Sequence, residues 1–361
     1  MTKPIRVGLI GAGANTRSRH IPGLLAIEGV KIAAVCNRRP ESTRAVAREF
    51  NVPRMYDAWE QLVADADLDA IVIGTWPYLH CPITVAALQA GKHVLTEARL
   101  SMNAAEAHHM LTAARQHARL VTQVVPSPFG LKGHDLMKQL IGEGYLGELR
   151  EVHIWNFAAP LADPDAPLSW RQDATLSGFN MLALGIVHET LLRWAPPPVL
   201  VQAQVHAHVA ARIDPQSGVR RPVGTPDSVQ VLAVLADGAR ATYHLSGVTP
   251  FGQTASIYLF GSDGILCYDL LTDRIRGASR RYGHTPGGMA EVEEIAIPAD
   301  TVRVWTVEAD FIAAIREGRA IELTTFEAGV AYMEFTEAVA RSAETGEAIA
   351  LPLREFVVAV S

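Results

Sequence analysis

Over the first 125 residues, short runs of apolar and β-branched residues alternate with segments whose apolar positions recur at helical spacing. That pattern predicts a parallel sheet covered by helices. Five strands are expected, at Ile5–Ile10, Val30–Cys36, Ala70–Gly74, His93–Thr96 and Leu120–Val125. None alternates strictly between apolar and polar positions, as befits strands buried on both faces. Pro40 opens a helix running to Phe50, and Asn103-Ala-Ala-Glu106 reads as the capped start of another reaching about Ala118.

Beyond Pro126-Ser-Pro128 the texture changes. A helix over His134–Glu143 precedes a strand over Leu149–Phe157 and a Pro- and Asp-rich loop, 158–168, of the kind that edges a site. Leu176–Trp194 reads as one helix, closed by Pro196-Pro-Pro198. From Val199 to Asp269, β-rich runs are joined by turns such as Asp237-Gly238 and Asp263-Gly264, which predicts antiparallel sheet. Helical spacing returns at Thr306–Glu317 and Thr325–Thr345. The expected fold class is α/β: a doubly wound parallel sheet over residues 1–125, then an α+β domain over residues 126–361 with a large, mostly antiparallel open sheet. The chain carries no internal repeat and no low-complexity segment.

Composition narrows the function. A chain of 361 residues with 49% hydrophobic and 19% charged residues has the material for two ordered domains. Its 32 Lys and Arg against 38 Asp and Glu leave a net charge of −6, with no basic excess to neutralise a phosphate backbone, which argues against nucleic acid as partner. Cys36, Cys81 and Cys267 are too few and too scattered for a disulfide framework and read as buried thiols of a reducing compartment. The apolar stretch from Ile5 to Ala14 imitates a secretory signal, but its glycines have another use. The uncharged run Ala70–Gly91 is long enough to cross a bilayer, yet its prolines and glycines fit strand, turn and helix instead. A cytoplasmic protein without membrane contact is expected.

Gly11-Ala-Gly13-Ala-Asn15-Thr16 follows the first strand and precedes a helix, where backbone amides and a helix N-terminus hold a pyrophosphate. Thr16 takes the place of the third glycine. At the end of the second strand, where a carboxylate would bind the ribose hydroxyls of NAD, the chain has Asn37-Arg38-Arg39. Guanidinium groups there favour a 2′-phosphate, hence NADP, with NAD as the alternative if the two arginines are only solvated.

At this point the chain resembles the glucose-fructose oxidoreductase, inositol dehydrogenase and MocA (Gfo/Idh/MocA) family over nearly its whole length. The resemblance rests on His20 after the glycine loop, on Thr75-Trp76-Pro77-Tyr78-Leu79-His80, and on Gly91-Lys-His-Val-Leu-Thr-Glu97. It continues in Trp170-Arg171 spaced before Ser177-Gly178 and His188, in Phe260-Gly261-Ser-Asp-Gly264, and in Ser342-Ala-Glu-Thr-Gly346. The resemblance implies a Rossmann domain under a nicotinamide cofactor and a substrate-binding domain that also forms homodimers or homotetramers through its open sheet. The substrate it implies is a sugar, cyclitol or glycoside, oxidised or reduced at a secondary alcohol or ketone.

Departures from the family pattern decide the candidate chemistry. Where relatives have Glu-Lys-Pro this chain has Glu97-Ala98-Arg99, and where they place an aspartate four residues before the histidine it has Leu184 before His188. His188, an imidazole titrating near neutrality, is expected to take the hydroxyl proton, its alternative being a buried helix histidine. Arg99 and Lys132 are the further catalytic candidates, one to polarise a carbonyl or bind a carboxylate and one to supply an amine. Glu97, Thr75, Trp76 and His80 join Gly11, Gly13, Asn15, Thr16, Asn37, Arg38 and Arg39 as expected cofactor contacts. Asn180, nearly two helical turns before His188, is expected to share its face and orient substrate, together with Trp170 and Arg171. His206 and His208 share a strand face without a third ligand, so no metal is expected. Loss of the lysine leaves two competing readings: a nucleotide-binding regulator with impaired catalysis, and a hydrolase or epimerase that oxidises and re-reduces its sugar with a tightly held cofactor.

Overall fold

The computed structural model describes residues 4–285 and 292–356. The chain divides into two compact units, one formed by Met1–Pro126, Leu176–Gly178 and Thr306–Met333, the other by Ser127–Thr175, Phe179–Trp305 and Glu334–Ser361. A single boundary near Val125 therefore accounts for only the first of the crossings, and the helix Val307–Glu317 belongs with the first unit.

Among the described residues the first unit holds a six-stranded parallel sheet of β1 (Ile5–Ile10), β2 (Val30–Cys36), β3 (Arg54–Met55), β4 (Ala70–Ile73), β5 (His93–Thr96) and β6 (Thr122–Val124), in the order β3-β2-β1-β4-β5-β6. Val7, Leu9, Ile71, Ile73, Val94 and Leu95 are buried, which explains the unbroken apolar runs. β3 is too short for any periodicity to mark it. The helix Ala104–Gln116 starts as its sequence predicts: the Asn103 side chain accepts from Glu106 N at 2.8 Å and Glu106 Oε2 accepts from Met102 N at 3.1 Å.

This order reverses direction between β1 and β4, the place where open α/β sheets leave a crevice at their carboxyl ends. Gly11 N donates to Cys36 O and Gly74 N to Ile10 O, so the segments leaving β1, β2 and β4 emerge side by side. Glu97 N donates to Ile73 O and brings the end of β5 into the same row.

The second unit is built on β7 (Leu149–Phe157), β8 (Pro198–His206), β9 (Ala211–Ile213), β10 (Arg220–Pro222), β11 (Ser228–Leu235), β12 (Arg240–Ser246), β13 (Thr254–Gly261), β14 (Gly264–Asp269), β15 (Arg274–Ser279), β16 (Glu293–Ile295) and β17 (Ile349–Ala350). Nine of these described strands form one sheet, β16-β15-β14-β13-β7-β12-β11-β8-β17, antiparallel except where β7 meets β12. Along each central strand the residues alternate. Val152, Ile154, Val229, Val231, Tyr243, Leu245, Ile257 and Leu259 are buried on one face, while Trp155 and Leu232 on the other are exposed.

The single helix expected over Leu176–Trp194 is interrupted. Helical turns occupy Ala174–Ser177 and Leu184–Leu192, and the chain between them turns through Gly178 at φ +63° and Leu182 at φ 45°. A Cβ on Gly178 would lie 2.2 Å from Met102 O, so close backbone approach, invisible to periodicity, breaks the helix there. No helix among the described residues is long and apolar enough to cross a membrane.

Candidate functional site

The glycine loop is pressed against the end of β4. Gly11 adopts φ +84°, and a Cβ on it would meet Thr75 N at 2.6 Å, which only glycine avoids. Thr16 is buried and donates from Oγ1 to Gly11 O at 3.2 Å, so it fastens the loop rather than facing a ligand. Gly13 is exposed with nothing within 4 Å of a Cβ position, a cradle open where the helix beginning at Ala14 presents its first amides. The Thr75 hydroxyl, in the segment whose backbone packs against Gly11, is buried and has no hydrogen-bond partner among the described residues. An open cradle and an orphaned buried hydroxyl fit a dinucleotide.

The residues after β2 divide their duties. Asn37 is buried, its Oδ1 accepts from Ala12 N at 2.6 Å and its Nδ2 donates to Ser42 Oγ at 2.9 Å. The amide expected to contact the cofactor thus ties the glycine loop to the following helix. Arg38 and Arg39 are exposed, and no carboxylate occupies this turn. The Arg38 guanidinium lies 5.4 Å from the ring centroid of Trp76, a cation–π contact between the ends of β2 and β4.

At the end of β5, Glu97 Oε1 accepts from His20 Nε2 at 2.9 Å and from Asn15 Nδ2. The other His20 nitrogen bonds Glu308 Oε1. The imidazole is fully buried, and the two carboxylates outweigh its desolvation, raising its pKa to about 9. The same bonds hold the Glu97 carboxyl below its ordinary value against burial. Glu97 and Asn15, expected on the cofactor, are therefore also a clasp behind the glycine loop. Glu308, more than 280 residues from His20, carried no signal in the sequence.

His80 is buried with Nδ1 2.9 Å from Arg99 O and Nε2 3.0 Å from Thr75 O. Both ring nitrogens face backbone carbonyls, leaving neither for the cofactor contact expected of it. The ring ties the turn after β4 to the segment after β5 instead, and burial lowers its pKa. The Ala98–Arg99 peptide is cis, and the Arg99 side chain is buried rather than displayed at the surface.

In the second unit His188 is 1% exposed. Its Nδ1 lies 2.8 Å from the Tyr243 hydroxyl, and its ring stacks on Phe335 with centroids 3.7 Å apart and planes at 17°. Burial lowers its pKa to about 3, so the ring expected to titrate near neutrality is a neutral imidazole throughout the physiological range. Asn180 is buried but precedes the helix that carries His188, so the shared helical face does not exist. Glu189, beside His188, accepts from Arg193 at 2.6 Å and from Ser127 N at 3.0 Å, a structural clamp. Lys132 is exposed. Arg171 lies over Trp170 at 4.4 Å in a short helical turn. The loop expected to edge a site is anchored from beneath by buried Arg212, which donates to the carbonyls of Leu161, Asp163 and Ala166. The rings of His206 and His208 pack edge to face 4.6 Å apart.

A parallel doubly wound sheet with this open glycine cradle is the architecture of a dinucleotide-binding domain. The oxidoreductase family profile with an NAD-binding Rossmann fold (GFO_IDH_MocA) matches residues 5–124, and the GFO/IDH/MocA C-terminal domain profile matches residues 134–267. The chain belongs to the Gfo/Idh/MocA family. It is 29% identical over 346 residues to the 1,5-anhydro-D-fructose reductase of Ensifer adhaerens, covering 95% of this chain and 97% of that one. It is 26% identical over 263 residues to the trans-1,2-dihydrobenzene-1,2-diol dehydrogenase of Mus musculus, covering 72% and 73%. Its fold matches that of levoglucosan dehydrogenase in complex with NADH and L-sorbose, with a TM-score of 0.84 at 21% identity over 96% of this chain and 99% of that one. An oxidoreductase domain protein from Kribbella flavida matches with a TM-score of 0.85 at 24% identity, over 97% and 100%.

Proposed function

We propose that this protein is an NADP(H)-dependent oxidoreductase that interconverts a secondary alcohol and a ketone on a sugar, cyclitol or glycoside. The observation that carries the cofactor choice is the turn after β2, where two exposed arginines and no carboxylate stand next to the glycine loop. A carboxylate would repel a 2′-phosphate, whereas Arg38 and Arg39 bind it through charge-assisted hydrogen bonds. The substrate class follows the names of similar proteins, 1,5-anhydro-D-fructose reductase and levoglucosan dehydrogenase among them.

When bound, the nicotinamide supplies or accepts the hydride. The chain's own residues do the rest. Gly13 and the amides after it would hold the pyrophosphate. The His20, Glu97 and Glu308 array keeps that end of the sheet rigid and charged. His188, with Asn180, Trp170, Arg171, Arg99 and Lys132 as further candidates, handles the substrate oxygen. The exposed sheet face of the second unit forms a homodimer or homotetramer interface.

The regulator reading draws on Ala98, Leu184 and the low basicity of His188. Purified protein given NADPH and a panel of keto-sugars and keto-cyclitols separates the two. Loss of the reduced-nicotinamide absorbance with at least one of them supports the enzyme, and tight NADPH binding without turnover on any of them supports the regulator.

A further inference from the structure

Tyr243 lies on β12 among apolar neighbours, paired in register with Ile154 of β7 and Val231 of β11, and is 1% exposed. Its hydroxyl has one hydrogen-bond partner among the described residues, His188 Nδ1 at 2.8 Å. A phenol has one proton to give, and a neutral imidazole has one N–H and one acceptor nitrogen. If Nδ1 carried the ring proton, the hydroxyl would accept it and its own proton would be stranded in an apolar interior. An unmade buried hydrogen bond is the costlier arrangement. If Tyr243 donates instead, both groups are satisfied and the ring proton sits on Nε2.

We propose that Tyr243 is a positioning residue: by donating to Nδ1 it fixes the tautomer in which His188 presents Nε2–H as a hydrogen-bond donor to the substrate oxygen. This rests on the oxidoreductase reading above and assigns His188 a different task from the proton acceptor its position implies. Nδ1 is occupied and Nε2 already protonated, so the ring polarises a carbonyl or holds a hydroxyl oxygen by donation, as a neutral imidazole does well in a dry site. Phe335, stacked flat on the ring, fixes the plane in which that N–H points. No carboxylate bonds His188 among the described residues, and burial keeps the ring neutral, so nothing here favours the imidazolium that a general base must become.

Nitrogen NMR of the full-length protein labelled at histidine reads the tautomer directly, with the His188 signals assigned by their loss in His188→Gln. The expected result is a neutral ring protonated at Nε2 from about pH 5 to 9. In Tyr243→Phe the Nδ1 signal should shift as its hydrogen bond is lost. With a turned-over keto-sugar, that variant should lose about ten-fold in kcat with KM within about two-fold, the mark of an interaction made in the transition state. A wild-type ring protonated at Nδ1 overturns the proposal, as does a Tyr243→Phe protein whose His188 signals and kcat are both unchanged. The tautomer is read without substrate, so an Nε2–H ring in a protein that turns over nothing would sink the activity and leave the tautomer standing.

Discussion

His20 Nε2 lies 2.9 Å from Glu97 Oε1 with the ring fully buried and its other nitrogen on Glu308, so a protonated imidazole is held between two carboxylates behind the glycine loop. The folded pKa of about 9 lies above the ordinary 6.5. The stability it contributes is complete below about pH 6.5 and is lost as pH rises through 9. Thermal melts of wild type and His20→Asn should differ most at pH 6 and converge near pH 10. A difference that does not change with pH would contradict the imidazolium.

The proposed function assigns the cofactor preference to Arg38 and Arg39. Wild-type protein should bind NADPH more tightly than NADH in calorimetric titration, and Arg38→Ala or Arg39→Ala should each weaken NADPH by about ten-fold or more, the worth of a charge-assisted hydrogen bond. NADH affinity should change far less. Equal affinities of the wild type for the two cofactors would refute the assignment.

Removing the imidazole should cost turnover more than binding. His188→Ala is expected to lower kcat by about 10²-fold, within the range for loss of one preorganised donor, with the NADPH dissociation constant nearly unchanged. Because burial holds His188 near pKa 3, the wild-type pH profile should show no ionisation of this residue between pH 5 and 8. A limb near pH 6.5 that disappears in His188→Gln would show a titrating base instead.

Leu232 is 60% exposed and Trp155 also lies open on the outward face of the large sheet. Apolar side chains exposed on a sheet face favour association with a second such face. Light scattering should find a homodimer or homotetramer, and Leu232→Lys combined with Trp155→Glu should shift it toward monomer without lowering NADPH affinity. A monomeric wild type would remove this face from the account.

Much of this protein is legible in its sequence, for stated reasons. β1, β2, β5 and β7 fall where their apolar runs place them, since strand burial is written locally. The helix over 176–194 misleads because its apolar spacing is intact and only the approach of Gly178 to Met102 interrupts it. The same break separates Asn180 from the His188 helix. At the site, the glycine loop and the two arginines are visible because they are contiguous. The Glu308 partner of His20 and the Tyr243 partner of His188 are contacts across 288 and 55 residues, and nothing in local pattern joins them. The low basicity of His188 is likewise a property of the apolar walls, which a sequence does not display.

The central claim, hydride exchange between a nicotinamide and a carbohydrate carbinol, is tested most directly by isotope transfer. NADPH carrying deuterium at C4 of the nicotinamide, on the face the enzyme uses, would be incubated with the protein and a panel of keto-sugars and keto-cyclitols, with each deuterated epimer tried in turn. The account predicts that mass spectrometry and NMR find one deuterium on the new secondary carbinol carbon of at least one product, from one cofactor epimer only. Saturated NADPH binding with no deuterium in any product would contradict it.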